Sequence, residues 1–393
     1  MDVVPMIYDS LGVAPIINAA GTNTRLSGGM MNPEVIAAMA EAATACVDML
    51  SLQAAASRAI AEATGAEAGI VTSGAAAALT IGAAACVARF DVNAMNGLPI
   101  RIDRDQFVMA RSQRNMYDRA LQSAGCWIEE VGIPDRFSGA GVRDAEPADY
   151  AAAFTPRSAG VLWVAQPWSE PPLPDVVRVA HDAGLPVMVD AAAQLPPAAN
   201  LRRFIAEGAD LVAFSGGKAI GGPQASGILA GRRDLVCSAL LQMLDLDLPS
   251  SQFVLPPEFA CEGAPAHLPR HGLGRACKTG KEEIVGLIVA LRRFVAEGDA
   301  PRADRLRARV EAVRAAMGNT PGEITDGPVP LLLIRLRDAD AARAADAALR
   351  ARSPAIHVNQ GRLREGIVTI NPLALADRDL VPLGQALGGI LQD

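Results

Sequence analysis

Between about residues 66 and 232 the chain alternates short apolar runs with longer, alanine-rich stretches. Several runs, such as PVMV and GVLWV, are apolar without polar alternation, which is typical of strands buried on both faces. The longer stretches, such as residues 174–184 and 201–209, have the pattern of helices that cover a sheet. The predicted strands are residues 68–72, 106–110, 126–131, 160–165, 185–190, 210–214 and 226–231. The pattern therefore predicts a doubly wound α/β fold with a seven-stranded, mainly parallel sheet.

After about residue 266 the pattern changes to long helical stretches. A helical segment begins near Lys281 and continues to about residue 318, and another covers 338–353. Short strands are predicted at 329–336, 355–359 and 365–371. Residues 266–393 are therefore expected to form a smaller α+β domain. The first forty residues lack a core of their own, so we expect residues 1–40 to pack on the small domain and residues 41–265 to form the large one.

The composition of the chain limits the classes of protein to which it can belong. A chain of 393 residues, half of them apolar, is long enough for two cores. Its formal net charge of −7 gives no basic surface of the kind that nucleic acid or an anionic membrane attracts, so we expect neither partner. The cysteines and histidines show no metal-ligand spacing, which predicts no metal site and reduced cysteines in a cytoplasmic protein. No secretory signal is visible, and the run 69–90 is too rich in alanine and glycine for a membrane span.

Ligands of parallel α/β sheets bind at the carboxyl ends of the strands, and two candidate groups follow strands here. The turn Ser73–Gly74 leaves the strand 68–72 and enters a helix, whose N-terminal N–H groups suit a phosphate. Taken alone, Ser73 is better explained as a helix cap than as a phosphate ligand. Asp190 ends an apolar strand, where it is either an ordinary turn residue or an anion that faces a protonated ring nitrogen.

A third candidate, Lys218, follows the strand 210–214 within SGGKAIGGPQASG. Only three of the 36 basic residues are lysines, namely Lys218, Lys278 and Lys281. Arginine stays protonated, whereas lysine can lose its proton and form a Schiff base, so a retained lysine indicates amine chemistry. The surrounding glycines either leave room for a flat ligand or form a flexible turn. An anion-binding turn, a carboxylate and a Schiff-base lysine together predict a site for pyridoxal 5′-phosphate (PLP).

Six segments of the chain resemble one family of PLP enzymes. They are NAAGT (18–22), TGAEAGIVTSGAAAAL (64–79), YDRALQSAG (117–125), VDAAAQLPP (189–197), GADLVAFSGGKAIGGPQASGILAGR (208–232) and GRACKTGKEEIVGL (274–287). They are similar to the selenocysteine-synthase-like branch of the fold-type-I PLP-dependent enzymes, which includes D-glucosaminate-6-phosphate ammonia-lyase and bacterial L-seryl-tRNA(Sec) selenium transferase. The resemblance covers about residues 15–290 strongly and the C-terminal part weakly. It implies the fold-type-I fold, with a small α+β domain beside the sheet.

The resemblance also implies roles for individual residues. Lys218 would hold PLP as the internal aldimine, and Asp190 would pair with the pyridine nitrogen. The phosphate would be held by Ser73, Gly74, Ala75 and Ser215.

One position departs from the family. Gln113 falls in a stretch where relatives commonly carry a histidine that stacks on the cofactor ring. An amide can lie over the ring but cannot titrate near neutrality as an imidazole does. The resemblance therefore supports a cofactor contact at Gln113 and does not support an acid–base role there.

Several cations are candidates for the substrate or for a partner loop. Arg275, Lys278 and Lys281 fall in a loop that in this fold type tends to reach an active site at a dimer interface, although a solvated helix start explains them equally well. The resemblance thus implies a homodimer or a higher even oligomer. Further candidates for binding a substrate carboxylate, in a chain whose arginines are mostly expected at the surface, are Arg25, Arg362 and Arg364.

By family analogy we expect an α,β-elimination on a small amino acid, with Lys218 as general base on the Cα–H and release of a 2-oxo acid and ammonia. Aldol cleavage, racemisation and transamination use the same residues and stay open. Selenium transfer to charged tRNA is less favoured, because the stretch before the first motif is short and the net charge is negative. The alternative from another class is a homologue that binds PLP without turnover, which Gln113 favours and the retained Lys218 and Asp190 oppose.

Overall fold

A computed structural model describes residues 6–133, 144–265 and 267–390. The chain divides into two compact units. The large unit is Asn32–Val295, and the small unit combines Met1–Met31 with Ala296–Asp393.

Both boundaries differ from those expected at residues 40 and 265. The helix Pro33–Ala43 belongs to the large unit, where a Cβ built on Gly286 would lie 2.7 Å from the Cγ of Met39. Gly274 approaches the same unit closely, since its Cβ would lie 2.9 Å from the carbonyl oxygen of Gln242. The residues between 267 and 295 therefore pack as part of the large unit, and the C-terminal part of the small unit begins at residue 296.

The strands are short and, in the large unit, mostly buried. In chain order they are β1 (Ile17–Ala19), β2 (Ala68–Thr72), β3 (Gln106–Ala110), β4 (Trp127–Val131), β5 (Ser158–Val164), β6 (Val187–Asp190), β7 (Leu211–Ser215), β8 (Gly227–Gly231), β9 (Glu323–Ile324), β10 (Leu332–Arg335), β11 (Ile356–Val358) and β12 (Ile367–Ile370).

Helices separate most of these strands. The α-helices are α1 (Met6–Ser10), α2 (Pro33–Ala43), α3 (Met49–Thr64), α4 (Ala75–Ala88), α5 (Val92–Gly97), α6 (Arg119–Ser123), α7 (Pro147–Ala153), α8 (Leu173–Asp182), α9 (Asn200–Ala206), α10 (Arg233–Met243), α11 (Lys281–Glu297), α12 (Asp299–Ala316), α13 (Ala339–Arg350) and α14 (Leu380–Ile390). Short 3-10 helices lie at Thr24–Leu26, Arg111–Gln113, Met116–Asp118, Ser250–Gln252, Leu273–Cys277, Leu363–Glu365, Pro372–Ala374 and Asp377–Asp379. Among the described residues, no helix combines the length and the apolarity that crossing a bilayer requires.

The large unit is built on a seven-stranded sheet with the order β2–β8–β7–β6–β5–β3–β4. Neighbouring strands are parallel except at β8, which runs antiparallel to both β2 and β7. Each of the seven predicted strands is present, with ends within two residues of the predicted limits. The mainly parallel α/β architecture predicted from the apolar runs is therefore confirmed.

Strand β2 lies at one edge of this sheet, and a glutamine from α3 covers its exposed backbone. The Gln53 side chain donates to the carbonyl oxygen of Val71 at 2.9 Å and accepts from the Val71 N–H at 3.0 Å. Ser57 Oγ accepts from the Gly69 N–H at 3.1 Å. These bonds replace the missing neighbour strand and block edge-to-edge association.

The small unit has its own core and two small sheets. Strand β1 pairs in parallel with β11, and β10 lies between β12 and β9, antiparallel to both. Val310, Leu349 and Leu387, from α12, α13 and α14, join one buried cluster with these strands. The helical segment predicted from Lys281 is two helices, because the chain turns at Gly298, whose φ of 72° favours glycine.

Candidate active site

The structure brings four of the predicted site residues to one edge of the large sheet. Strands β2, β3, β5, β6 and β7 run in the same direction, so their carboxyl ends lie together. Ser73 follows β2, Gln113 follows β3, Asp190 ends β6, and Lys218 follows β7. This carboxyl edge is where ligands of such sheets bind.

The turn between β2 and α4 leaves a helix N-terminus open. Thr72 Oγ1 donates to the carbonyl oxygen of Gly74 at 2.9 Å, and Ser73 Oγ donates to the carbonyl oxygen of Cys277 at 3.1 Å. Gly74 has a φ of 127°, and α4 begins at Ala75 with no hydrogen bond from a side-chain cap. Ser73 is therefore not a helix cap, and the first N–H groups of α4 are oriented to bind an anion.

Gly227 supports this turn, although the motifs alone did not point to it. At the start of β8 it pairs with Thr72 on one side and with the half-buried Ser215 on the other. A Cβ built on Gly227 would lie 2.4 Å from the carbonyl carbon of Gly74, so any side chain would displace the turn. Its position inside a buried strand was the available signal, because glycine there often marks a close backbone approach.

Asp190 is a buried carboxylate at the end of β6, with 8% of its surface exposed. Its Oδ1 accepts a hydrogen bond from the Ala192 N–H at 3.0 Å. Burial raises the pKa of the Asp190 carboxyl; the Ala192 hydrogen bond and the charge of Lys218 lower this pKa, and Asp118 raises it further. A carboxylate of increased proton affinity is suited to sharing a proton with a ring nitrogen.

Lys218 is half-buried in the loop between β7 and β8. Burial lowers the pKa of the Lys218 ammonium, and the charge of Asp190 opposes this change. The loop is closed by backbone bonds, since the Gly216 N–H donates to Ser226 and the Gly222 N–H donates to Gly216, both at 2.9 Å. The lysine therefore lies on a fixed loop and loses its proton more readily than an exposed lysine.

The glycines of this loop pack against the chain itself. A Cβ on Gly216 would lie 2.2 Å from Ser226 Oγ, and a Cβ on Gly217 would lie 2.7 Å from Gln224 Cα. Gly221 has a φ of 75°. From the sequence we expected these glycines either to leave room for a ligand or to form a flexible turn. The structure gives another reason for Gly216 and Gly217, because a side chain at either position would clash with the rest of the loop.

Gln113 is buried, and backbone groups bind both ends of its amide. Its Oε1 accepts from the Val164 N–H at 2.9 Å, and its Nε2 donates to the carbonyl oxygen of Glu170 at 3.2 Å. The polar groups of Gln113 are thus directed at the chain that follows β5.

A second buried carboxylate, Asp118, lies near Asp190 and acts on its charge. Asp118 Oδ2 pairs with Arg114 and accepts from the Asn115 N–H at 3.3 Å. Its Oδ1 is buried and has no hydrogen-bond partner within the described part of the chain. Asp118 belongs to the segment YDRALQSAG, so the family resemblance included this residue but gave it no role.

The cationic segment around Lys278 lies beside the turn that follows β2. The carbonyl oxygen of Cys277 accepts the hydrogen bond of Ser73, which fixes this proximity. Lys278 is exposed, whereas Arg275 and Lys281 each pair with a neighbouring carboxylate at 3.0 Å.

The other arginines considered belong to the small unit. Arg25 and Arg364 are exposed there, and Arg362 pairs with Glu365 at 2.6 Å. Burial and then the charge of Arg25 lower the pKa of His357, which places Arg25 near β11.

Three exposed groups of the large unit bring possible metal-ligand atoms within 4.8 Å of one another, namely those of Asp245, Asp247 and His271. His271 and Arg275 already pair with these two carboxylates, each at 3.0 Å. Exposed acidic groups are common without an ion, so the cluster is accounted for by its own ion pairs.

The residues at the carboxyl edge fit PLP. The α4 N-terminus has no side-chain cap, and no described atom lies within 4 Å of a Cβ built on Gly74, which leaves room for a phosphate. Asp190 is a buried acid short of donors, and Lys218 is an amine whose pKa is lowered. These are the groups that PLP takes from its protein.

Fold and site together define a fold-type-I PLP-dependent enzyme. The chain belongs to the SelA family, because the family model described as L-seryl-tRNA selenium transferase matches residues 16–246. A 5′-C-glycyluridine monooxygenase-decarboxylase from Streptomyces sp is 31% identical over 392 residues, which cover 94% of this chain and 88% of the relative. The D-glucosaminate-6-phosphate ammonia lyase of Salmonella typhimurium is 27% identical over 391 residues, covering 96% of this chain and 95% of the relative. A solved structure of a D-glucosaminate-6-phosphate ammonia-lyase superposes with a TM-score of 0.81 at 26% identity, over 99% of each chain.

Substitution of Asp190 should change stability and cofactor binding in opposite directions. Because its pKa is raised in the folded protein, the stability that depends on this group falls as the pH rises from the ordinary aspartate range through the folded-state pKa. Ionisation of Asp190 in the folded apoprotein is therefore destabilising. We expect Asp190→Asn to stabilise the apoprotein by about 1 kcal/mol in denaturant unfolding, and to weaken PLP binding.

The matched control is Asp182→Asn, which changes an exposed aspartate at the end of α8. This control should leave stability and PLP binding unchanged. The gain from Asp190→Asn should shrink as the pH falls through the raised pKa of Asp190 and be absent at lower pH, because the carboxyl of the folded wild-type protein is then protonated. A loss of stability near neutral pH, relative to the control, would show that the buried charge is not destabilising.

Proposed function

We propose that this chain is a PLP-dependent lyase that removes the α-proton of a small amino acid and releases a substituent from its β-carbon. The observation that carries the proposal is that Asp190 ends β6 and Lys218 follows the parallel neighbour β7, so that two partly dehydrated groups lie at the same carboxyl edge and each acts on the charge of the other. When bound, PLP supplies a ring that accepts the electron pair left at the substrate's Cα.

In this proposal each residue of the edge has a defined role. With PLP bound, Lys218 Nζ would carry the cofactor, and the amine set free on substrate binding would take the proton from Cα and pass it to the departing β-substituent. Hydrolysis of the released enamine would then give the 2-oxo acid and ammonia. With PLP bound, Asp190 would pair with the protonated pyridine nitrogen, and its raised proton affinity would strengthen this contact. The turn formed by Ser73, Gly74 and Ala75, with Ser215 beside it, binds the phosphate.

A second candidate reaction is oxidative decarboxylation of an amino acid. The observation that favours it is the 31% identity to the monooxygenase-decarboxylase, which extends over 94% of this chain. The two reactions share the binding of an amine and the activation of a bond at Cα. They differ in whether the proton or the carboxylate leaves and in the requirement for oxygen.

Lys218→Ala should lose both covalent cofactor and turnover. The wild-type protein should be yellow with PLP, and borohydride should fix the reduced cofactor on the peptide that contains residue 218. We expect turnover of Lys218→Ala to fall by several powers of ten, each equivalent to about 1.4 kcal/mol of barrier. Arg178→Ala, which removes an exposed cation of α8, is the control. Cofactor on another lysine, or turnover like that of wild type, would contradict the assignment.

The reaction itself can be identified from products. A panel of D- and L-amino acids with β-hydroxy, sugar-acid and nucleoside side chains should be incubated with the PLP-loaded protein. Elimination predicts equal amounts of ammonia and 2-oxo acid without oxygen consumption. Release of CO₂ with uptake of oxygen would support the second candidate, and release of an aldehyde would indicate aldol cleavage.

We further propose that the protein works as a homodimer or a higher even oligomer in the cytoplasm. Large apolar side chains are exposed on the loops that follow β3 and β5, with Met116 at 81% and Trp168 at 55% of their surface. Exposed apolar side chains near a ligand-binding edge are typical of a surface that a partner covers. All six cysteines are free thiols, which suits a reducing compartment.

Sedimentation velocity tests the assembly. We expect one species of even stoichiometry down to sub-micromolar concentration, and Met116→Asp should shift it toward the monomer by placing a charge in the apolar contact. Val381→Asp, which changes an exposed valine of α14, is the control. A wild-type monomer with full activity would refute the proposal.

A further inference from the structure

The contacts of Gln113 indicate a different task from the ring stacking that the family resemblance implies at this position. Only 5% of its surface is exposed, and its one amide spans the two ends of a short connection. Val164, the last residue of β5, lies at one end, and Glu170 lies at the other. We call residues 165–171 the β5 loop.

The sheet itself explains why Val164 needs a partner. The ladder between β3 and β5 stops at the pair Val108–Val161, so the Val164 N–H lies beyond the last bond from β3. Gln113 Oε1 accepts this N–H at 2.9 Å and continues the ladder with a side chain. A buried N–H left without an acceptor would cost more than the bond itself contributes.

Other bonds tie the β5 loop to its own strand. Ser169 Oγ donates to the Val164 carbonyl at 2.5 Å and accepts from the Gln166 N–H at 3.1 Å. The Trp163 indole donates to the carbonyl oxygen of Pro171 at 3.0 Å. These bonds shape the loop, whereas the bonds of Gln113 join it to the end of β3.

The loop is also linked directly to Asp190. Val164 pairs with Asp190 in the ladder between β5 and β6, and the Ala165 N–H donates to the Asp190 carbonyl oxygen at 2.9 Å. A displacement of the β5 loop would therefore move the backbone that carries the buried carboxylate.

We propose that Gln113 is a positioning residue for the candidate site: its amide fixes the β5 loop to the end of β3 and so holds Asp190 in the position that binds PLP. This inference rests on the proposed function for the cofactor and adds a role that no ring contact provides. Each end of the amide is bonded to a backbone group, so Gln113 holds the loop through bonds that do not depend on contact with the cofactor ring.

The chain offers a matched control on the same strand. Gln106, at the amino end of β3, is also buried, and its Oε1 accepts two hydrogen bonds at 2.7 Å, from Thr155 and Ser158. Gln113→Met and Gln106→Met each remove a buried amide and keep the length of the side chain. Gln113→Glu keeps the acceptor for Val164 but removes the donor to Glu170.

Two measurements test the proposal. The first is hydrogen–deuterium exchange of the apoprotein over residues 164–171, and the second is spectroscopic titration with PLP. We expect Gln113→Met to exchange faster across the β5 loop and to bind PLP about tenfold more weakly, the equivalent of one or two hydrogen bonds. Gln113→Glu should keep the protection of the Val164 amide and lose that of the Gln166 and Ser169 amides. Gln106→Met should match wild type in both measurements.

The results separate this inference from the proposed function. Unchanged exchange of the β5 loop in both Gln113 variants, or PLP affinity equal to that of Gln106→Met, would overturn the positioning role. A wild-type protein that binds no PLP would instead refute the proposed function, and the exchange measured on the apoprotein would still decide whether Gln113 fixes the loop.

Discussion

A carboxylate buried at the end of a strand is the constraint on which the candidate active site depends. Burial raises the pKa of Asp190, which means that ionising this carboxyl is unfavourable in the folded protein. One backbone N–H and the charge of Lys218 offset this cost of ionisation only in part. An apolar residue at this position would give a more stable apoprotein, so a buried carboxylate here is explained by a role in binding a ligand. The surrounding structure is accordingly stiff: β6 lies between two parallel neighbours, and the loop that carries Lys218 is closed by its own hydrogen bonds. Stability contributed by the sheet thus allows a destabilising group to remain at its edge.

Much of this arrangement could be predicted from the sequence because it depends on local patterns. Strands buried on both faces are continuous apolar runs, and those runs located all seven strands of the large sheet. A residue that follows a parallel strand lies at the carboxyl edge whatever the other details, so Ser73, Asp190 and Lys218 could be placed together before any contact was known. The resemblance to PLP enzymes then gave these three positions one common ligand.

The remaining features depend on residues far apart in the chain. Gly227 is required by the backbone of Gly74, and Gln53 completes the hydrogen bonds of Val71, but neither partner can be identified from the neighbouring sequence. Gln113 was assigned to the cofactor by its place in a motif, whereas its hydrogen bonds show an attachment to the end of β5. The division of the chain into two compact units also depends on such contacts, since the approach of Gly274 to Gln242 leaves no signal in the composition of either segment.

The reversed direction of β8 also determines how much of the carboxyl edge the chain itself occupies. A parallel strand between β2 and β7 would end at this edge, and a connecting loop and the start of another helix would have to follow there. Because β8 begins at the carboxyl edge with Gly227 and runs away from it, the connection from β8 to α10 lies at the opposite end of the sheet. The carboxyl edge beside Gly227 is thereby left to the turn at Gly74 and to the loop that carries Lys218, the two segments that we propose hold the cofactor.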